Sequence, residues 1–313
     1  MGKSCKVEVI GGNCNCLDHI IIPYKFPDIN EKIFVKEYHQ QGGGVSSNAL
    51  ITLAKLGVKC AFWGFAGKDE FSNFLKNDFL KYNINVDLYY QDEKHITAQS
   101  FIIIDPKSGK RTVLAHTKQY EGHLFNIKDF DRFLPDVKVA LLDTYNIRYA
   151  VEVARWAKEN SLEIVLDSGT YKKDMEKIFE YVDYFIAPDD FIKGYFKREL
   201  SIEEGIYNLS KEWKFKFTAI TAGEKGCYAL IGNKVKHFPA YSILKVKDIT
   251  GAGDVFHGAF TYGILQNWNI EKCLKWANVT AALKCRHIGG REGIPILEEI
   301  EEHYEKYIKR REV

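Results

Sequence analysis

Apolar positions recur along this chain in two alternating rhythms. Compact runs at Val7 to Gly12, Val58 to Phe65, Val137 to Leu142, Ile164 to Asp167, Tyr184 to Ala187 and Phe217 to Thr221 read as short strands, several of them buried on both faces. Between such runs lie stretches with helical spacing: Leu50, Leu53, Ala54 and Leu56 up to Gly57, and Phe71, Phe74, Leu75, Phe79 and Tyr82 on one face. Ser46 and Ser47 are candidate caps for the first of these helices, and Asp69 for the second. The alternation predicts an α/β fold whose parallel sheet is covered by helices on both sides.

Two segments break the rhythm. Asp18 to Tyr38 and Ile96 to Leu114 alternate with the period of strands exposed on one face, with turns expected at Pro27-Asp28 and Lys107-Ser108-Gly109. They are expected to join into one small antiparallel sheet projecting from the body as a lid, with a hinge at Gly42-Gly43-Gly44. Repeats, low-complexity tracts and linkers are lacking, so lid and body are expected in one folded unit.

Composition narrows the function classes. The 313 residues supply 46% hydrophobic content and a net charge of only +2, with acids and bases interspersed. That leaves no electrostatic footprint for nucleic acid or an anionic membrane, and the basic end at Lys309 to Arg311 reads as a solvated helix terminus. Seven cysteines in apolar contexts make no disulfide framework, and Cys14-Asn15-Cys16 lacks the second ligand pair of a zinc site. A run of transmembrane length, an apolar signal core and a myristoylation serine are all missing, Lys6 standing where that serine would be. The expectation is a soluble, unanchored, cytoplasmic protein.

The densest chemical signal is DITGAGDVFHGAF, from Asp248 to Phe260. Gly251, Ala252 and Gly253 leave backbone N–H groups unshielded where a helix opens, and orphan donors and dipole together favour an anion there. Asp254, in the first turn, is positioned to take a proton from a hydroxyl attacking a bound phosphoryl group. The same spacing also serves as a plain turn with an acidic cap. Context separates the two: Val255, Phe256, Ala259, Phe260 and Ile264 make the following helix a buried one, and Val246 and Ile249 predict an extended segment before it.

Other candidates are weaker alone. Gly42 to Asn48 (GGGVSSN) is either a glycine-rich turn with a helix start or a loop that brings backbone close to a ligand, with Asn48 as donor and acceptor for hydroxyls. Asp18 follows the first strand, where open α/β sheets bind ligands, and suits sugar hydroxyls. Thr221 to Gly226 (TAGEKG) reads as a hairpin or as a nucleotide-contacting loop, but not as a Walker A sequence. His257, Cys273 and Cys285 lie on apolar helical faces and read as core.

Together these motifs resemble the ribokinase-like carbohydrate kinases of the PfkB family, over nearly the whole chain. The resemblance implies a three-layer α/β/α sandwich with a mostly parallel central sheet and a small β-sheet lid. It further implies one kinase domain over residues 1–313 with lid segments at about 15–40 and 95–116. It makes Asp254 the general base and Gly251, Ala252 and Gly253 the anion hole. Asp18, Gly43, Gly44 and Asn48 become sugar contacts, and Thr221, Gly223, Gly226, Asn278, Ala281 and Ala282 the ATP side. ATP and Mg2+, a monovalent cation beside the anion hole, and a homodimer paired through the lid are implied with them.

Within the family, GAGDVFHGA, AALKC at Ala281 to Cys285 and GGREGIP at Gly289 to Pro295 look most like sulfofructose kinases, and SGKRTVLAH with Arg111 like ketohexokinases. Lys32 matches a sulfonate-binding lysine, but Tyr145 and Ala115-His116 stand where a further Arg and Asn are expected. Asp189 and Asp190 occupy the place of the family's Asn-x-x-Glu, which leaves two expectations: Asp189 or Asp190 contacts Mg2+ through water, or ATP phosphates and water alone hold the ion. The expected reaction is ATP-dependent phosphorylation of a primary hydroxyl on a ketohexose-like sugar. A nucleoside acceptor, stacked on Phe26, Phe34 or Tyr38, and a non-catalytic sugar sensor are the alternatives.

Overall fold

A computed structural model describes residues 6–122 and 124–309. The first five residues and Arg310 to Val313, which include the MGKSC start and most of the basic end, lie outside the described residues. The strands are β1 (Val9–Asn13), β2 (Cys16–Pro23), β3 (Val35–Gly43), β4 (Cys60–Gly67), β5 (Asn85–Asp92), β6 (Gln99–Ile104) and β7 (Arg111–His116), followed by β8 (Val139–Asp143), β9 (Glu163–Asp167), β10 (Tyr184–Pro188), β11 (Phe217–Thr221), β12 (Cys227–Ile231) and β13 (Lys234–Phe238). The helices are α1 (Val45–Lys55), α2 (Glu70–Lys81), α3 (Ile147–Glu159), α4 (Glu176–Phe179), α5 (Asp190–Phe196), α6 (Ile202–Glu212), α7 (Ala252–Leu265), α8 (Ile270–Lys284) and α9 (Leu297–Lys309). Among the described residues no helix is long and apolar enough to cross a membrane.

The main sheet runs β13-β12-β11-β10-β9-β8-β1-β4-β5 among the described residues. It is parallel from β11 through β5, and the last hairpin, β12 and β13, is antiparallel. Side-chain alternation divides its residues between two cores: Val9, Val139, Leu141, Val165 and Ile186 face α1, α7 and α8, while Ile10, Ala140, Leu142, Ile164 and Phe185 face α3 to α6. This is the predicted α/β/α sandwich. Because β1 has β8 on one side and β4 on the other, the chain reverses its winding direction there, which opens a crevice at the carboxyl ends of the strands.

The two irregular segments form one sheet ordered β3-β2-β6-β7. It is mixed and not purely antiparallel, because β2 and β6 run parallel, Asp18 opposite Ser100. The reason is connectivity: β2 follows β1 and β6 follows β5, so both leave the same end of the main sheet. Ile20, Ile22, Ile102 and Ile104 form its inner core against Ile288.

Two local expectations change. Ser46 and Ser47 are not caps: Gly44 holds the N-cap position of α1, and the hydroxyls inside the helix donate to the Gly12 and Cys14 carbonyls. The stretch around Val246 and Ile249 is not a strand; Lys247 and Asp248 N–H groups both donate to the Cys285 carbonyl, so the loop is tied to the end of α8.

Asp69 caps α2 as read, in a reciprocal box with Ser72. It also accepts from the Thr97 hydroxyl at 2.7 Å and from the Thr97 N–H, pinning the chain that enters β6. Replacing Asp69 with Ala removes a cap and takes the acceptor from the Thr97 N–H and hydroxyl, so unfolding in urea should show a loss of about 2 kcal/mol.

Candidate active site

The opening of α7 is shaped by its own loop. Gly251 is the N-cap with φ 74°, in the left-handed region, and an added Cβ there would lie 2.8 Å from Gly290 Cα. Gly253 faces open space, with nothing within 4 Å of an added Cβ. Buried Asp248 holds the turn by accepting from the Thr250 N–H and hydroxyl at 2.9 and 2.7 Å and from the Gly289 N–H at 2.7 Å. Behind it the fully buried Lys284 donates to the Asp248 carbonyl.

Asp254 meets Asn48 because α1 and α7 touch closely. Gly258 permits this, since a Cβ there would come 2.5 Å from the Ala49 carbonyl. The Asn48 amide donates to Asp254 Oδ2 at 2.7 Å, and Asn48 Oδ1 in turn accepts from Arg291 Nε at 2.9 Å. Asp254 is thus aimed by a partner that is itself aimed. Burial, and next the charge of Asp167, push the Asp254 carboxyl up to about 7, while the Asn48 hydrogen bond and His257 pull the other way.

Arg291 is the residue that sequence reasoning missed. It is 2% exposed, and besides Asn48 it donates to the Gly43 carbonyl at 2.9 Å and to Asp78 of α2 at 2.5 Å, while its own N–H donates to Gln41. The available signal was a charged residue enclosed by glycines in GGREGIP.

On the inner face of the small sheet, Asp18 packs against Gly43 and accepts from the Cys16 thiol at 3.2 Å. Burial raises its carboxyl, against the Cys16 hydrogen bond and the Arg291 charge. Cys14 and Cys16 are neighbours of this cleft; among the described residues no group of three or more His, Cys, Asp or Glu is arranged to hold a metal ion. Asp143, at the end of β8, fixes the floor by accepting from Ser46, Asn13 and the Cys14 N–H. Buried Asn13 Oδ1, Asn15 Oδ1 and Gln41 Nε2 have no partner among the described residues, and the two asparagines line a small cleft with Tyr145 and Asn146. Such atoms are costly unless something hydrogen-bonds them.

Asp254, Gly251 to Gly253, Asn48, Asp18, Gly43 and Gly44 therefore converge. Lys32 stands apart, exposed in the connection beyond the end of β2 that lies away from Asp18. Arg111 is exposed at the start of β7; its hairpin tip at Gly109 reaches Lys247, and its charge acts on Lys284 and Cys285, on the anion-hole side of the cleft. Thr221, Gly223 and Gly226 lie in the β11–β12 hairpin. Asn278 is buried and donates to the Phe238 and Pro239 carbonyls, with Ala281 and Ala282 half-buried beyond it. Asp189 and Asp190 are exposed where β10 gives way to α5; burial and the neighbouring Asp189 charge raise the Asp190 carboxyl. His257, read as core, is buried but polar: its Nδ1 lies 2.9 Å from the Asp167 carboxylate.

Known proteins share the fold and the family signature of this chain. The pfkB family carbohydrate kinase model matches residues 6–297. A ribokinase of Lactococcus lactis is 25% identical over 94% of this chain and 95% of its own length. A nucleoside kinase of Methanocaldococcus jannaschii is 24% identical over 98% and 99%. The structure of Arabidopsis thaliana ribokinase complexed with ribose and ATP superposes with a TM-score of 0.81, covering 95% of this chain and 98% of that one at 17% identity.

Arg291 offers a direct check of the network. Arg291→Met leaves Asp78 and Asn48 without their buried partner, and equilibrium unfolding should show a loss of about 3–5 kcal/mol.

Proposed function

Because the chain belongs to the pfkB family of carbohydrate kinases, we propose that it transfers the γ-phosphoryl group of ATP to a primary hydroxyl of a small, ketohexose-like sugar. The observation that carries this reading is the Asp254 carboxylate, steadied by Asn48 at 2.7 Å in the first turn of a helix whose Gly253 faces open space. In the reaction Asp254 takes the proton of the attacking hydroxyl. As the oxygen forms its bond to phosphorus and the bond to ADP breaks, the N–H groups of residues 251 to 253 stabilise charge developing on the transferred group.

Asp18, Asn48, Gly43 and Gly44 form the acceptor side, and the unpartnered Asn13, Asn15 and Gln41 atoms supply further hydrogen bonds for a polyol. Lys32, in the β2–β3 connection, and Arg111, at the start of β7, act when the small sheet closes as a lid and excludes water. Thr221, Gly223, Gly226, Asn278, Ala281 and Ala282 border the nucleotide. Asp189 and Asp190 would hold hydrated Mg2+, a role suited to two exposed carboxylates whose mutual repulsion a cation relieves. When bound, that ion shields phosphate charge. The outer face of the lid exposes Tyr38, Phe101 and Leu114, and pairing of two lids in a homodimer covers them.

A nucleoside acceptor is the second reading, favoured by the likeness to a nucleoside kinase over nearly the full length of both chains. ADP release measured over ketoses, ribose, sulfofructose, inosine, adenosine and cytidine separates the two. Turnover confined to nucleosides overturns the sugar assignment.

The base assignment has its own test. Asp254→Asn should lower kcat by about 10²–10⁴ with sugar affinity nearly unchanged, and retained turnover would refute the role. Since the base must be ionised, kcat/KM of the native enzyme should fall as pH drops through about 7.

A further inference from the structure

Asp254 is not alone in its desolvated cleft. Asp167 from the end of β9 and Asp18 from β2 both act on it to hold its proton, and the Cys14 thiol and the Lys284 ammonium also feel its charge. Three carboxyl groups converging where water is scarce favour a neutral Asp254, which could not serve as a base. The buried group that answers this is His257, one turn into α7 and 2% exposed.

Every partner of the His257 ring is an acceptor. Nδ1 faces the Asp167 carboxylate at 2.9 Å and the Gly253 carbonyl at 2.8 Å, and Nε2 faces the Ile186 carbonyl at 3.4 Å. A neutral ring would turn a lone pair toward one of these oxygens, whereas an imidazolium donates to both sides. Asp167 is itself fixed, accepting from the Gly169 N–H at 3.2 Å. The charge is thus fixed beside the backbone of Gly253, the residue that precedes the base.

We propose that His257 is a positioning residue for phosphoryl transfer: a buried imidazolium held by Asp167 and the Gly253 carbonyl at Nδ1 and by the Ile186 carbonyl at Nε2, neutralising Asp167 so that the adjacent Asp254 stays ionised. The proposal rests on Asp254 being the base. Burial alone works to lower the His257 proton affinity, but the Asp167 charge and hydrogen bond outweigh it and the net direction is upward.

The charge arithmetic gives an asymmetric signature. His257→Asn strands a bare Asp167 beside the base, so the acid limb of kcat/KM should move to higher pH by about one unit or more. That is a tenfold loss near neutrality with little loss on the alkaline plateau. Asp167→Asn removes the anion, and the buried imidazole then loses its proton. The pair stays neutral and the limb should move little, as it should in the double variant. A purely structural role would lower the plateau in all three and leave the limb in place.

A second measurement needs no turnover. Nitrogen-15 NMR of the native protein at about pH 7.5 should show one imidazole with both nitrogens protonated, where an ordinary histidine is about nine-tenths neutral. His257→Gln assigns that signal. A neutral His257 ring, or an unmoved limb in folded His257→Asn, overturns the inference while Asp254→Asn still tests the base separately. If Asp254→Asn keeps full turnover, the kinase reading fails first, and the ring state is still read by NMR.

Discussion

The structure depends on a guanidinium that has no contact with water. Arg291 arrives in a loop near the end of the chain and finds its acceptors on β3, α1 and α2, segments some 200 or more residues earlier in sequence. A buried cation of this kind is tolerated only where geometry satisfies its donors together. The Gln41–Gly43 end of β3, the first two helices and the terminal loop are therefore held together, and the orientation of Asn48 toward Asp254 follows from it. The planar fork matters as much as the charge: Nε and the two terminal nitrogens serve three separated acceptors, whereas the three N–H groups of a lysine radiate from a single nitrogen.

Around this anchor the cleft is organised by withdrawing carboxylates from water and giving each a different companion. Asp143 is satisfied by a serine, an asparagine and backbone N–H groups and acts as scaffold. Asp248 closes a turn beside a buried lysine. Asp167 faces an imidazole, and Asp254 has one amide donor and a raised proton affinity. One residue type thus takes structural, electrostatic and candidate catalytic roles, decided by what faces each carboxyl and not by the strand end it occupies.

What could be read from sequence follows the range of the physics involved. The buried strands, the α2 cap at Asp69 and the glycine-opened helix at Gly251 are local signals, written within a few residues of where they act. Asp18 and Asn48 were legible because short polar residues followed a strand end or a glycine run. Ser46 and Ser47 misled because hydroxyls that resemble caps were needed by distant carbonyls. Val246 and Ile249 misled because apolar residues in a loop anchored to Cys285 resemble a strand. Arg291 and the His257–Asp167 contact could not be read from spacing, since their partners lie 90 to 250 positions away.

The parallel pairing of β2 with β6 makes the small sheet sensitive to parity. Its strands leave the body from one end, and Asp18 and His19 point to opposite faces, one toward Gly43 in the cleft and the other stacked on Phe101 outside. An odd-numbered insertion in the short link between Asn13 and Cys16 would exchange those two faces and offer a histidine where a carboxylate belongs. Length variation should therefore accumulate in the outer connection at residues 24–34, where the backbone can grow without turning the sheet inside out.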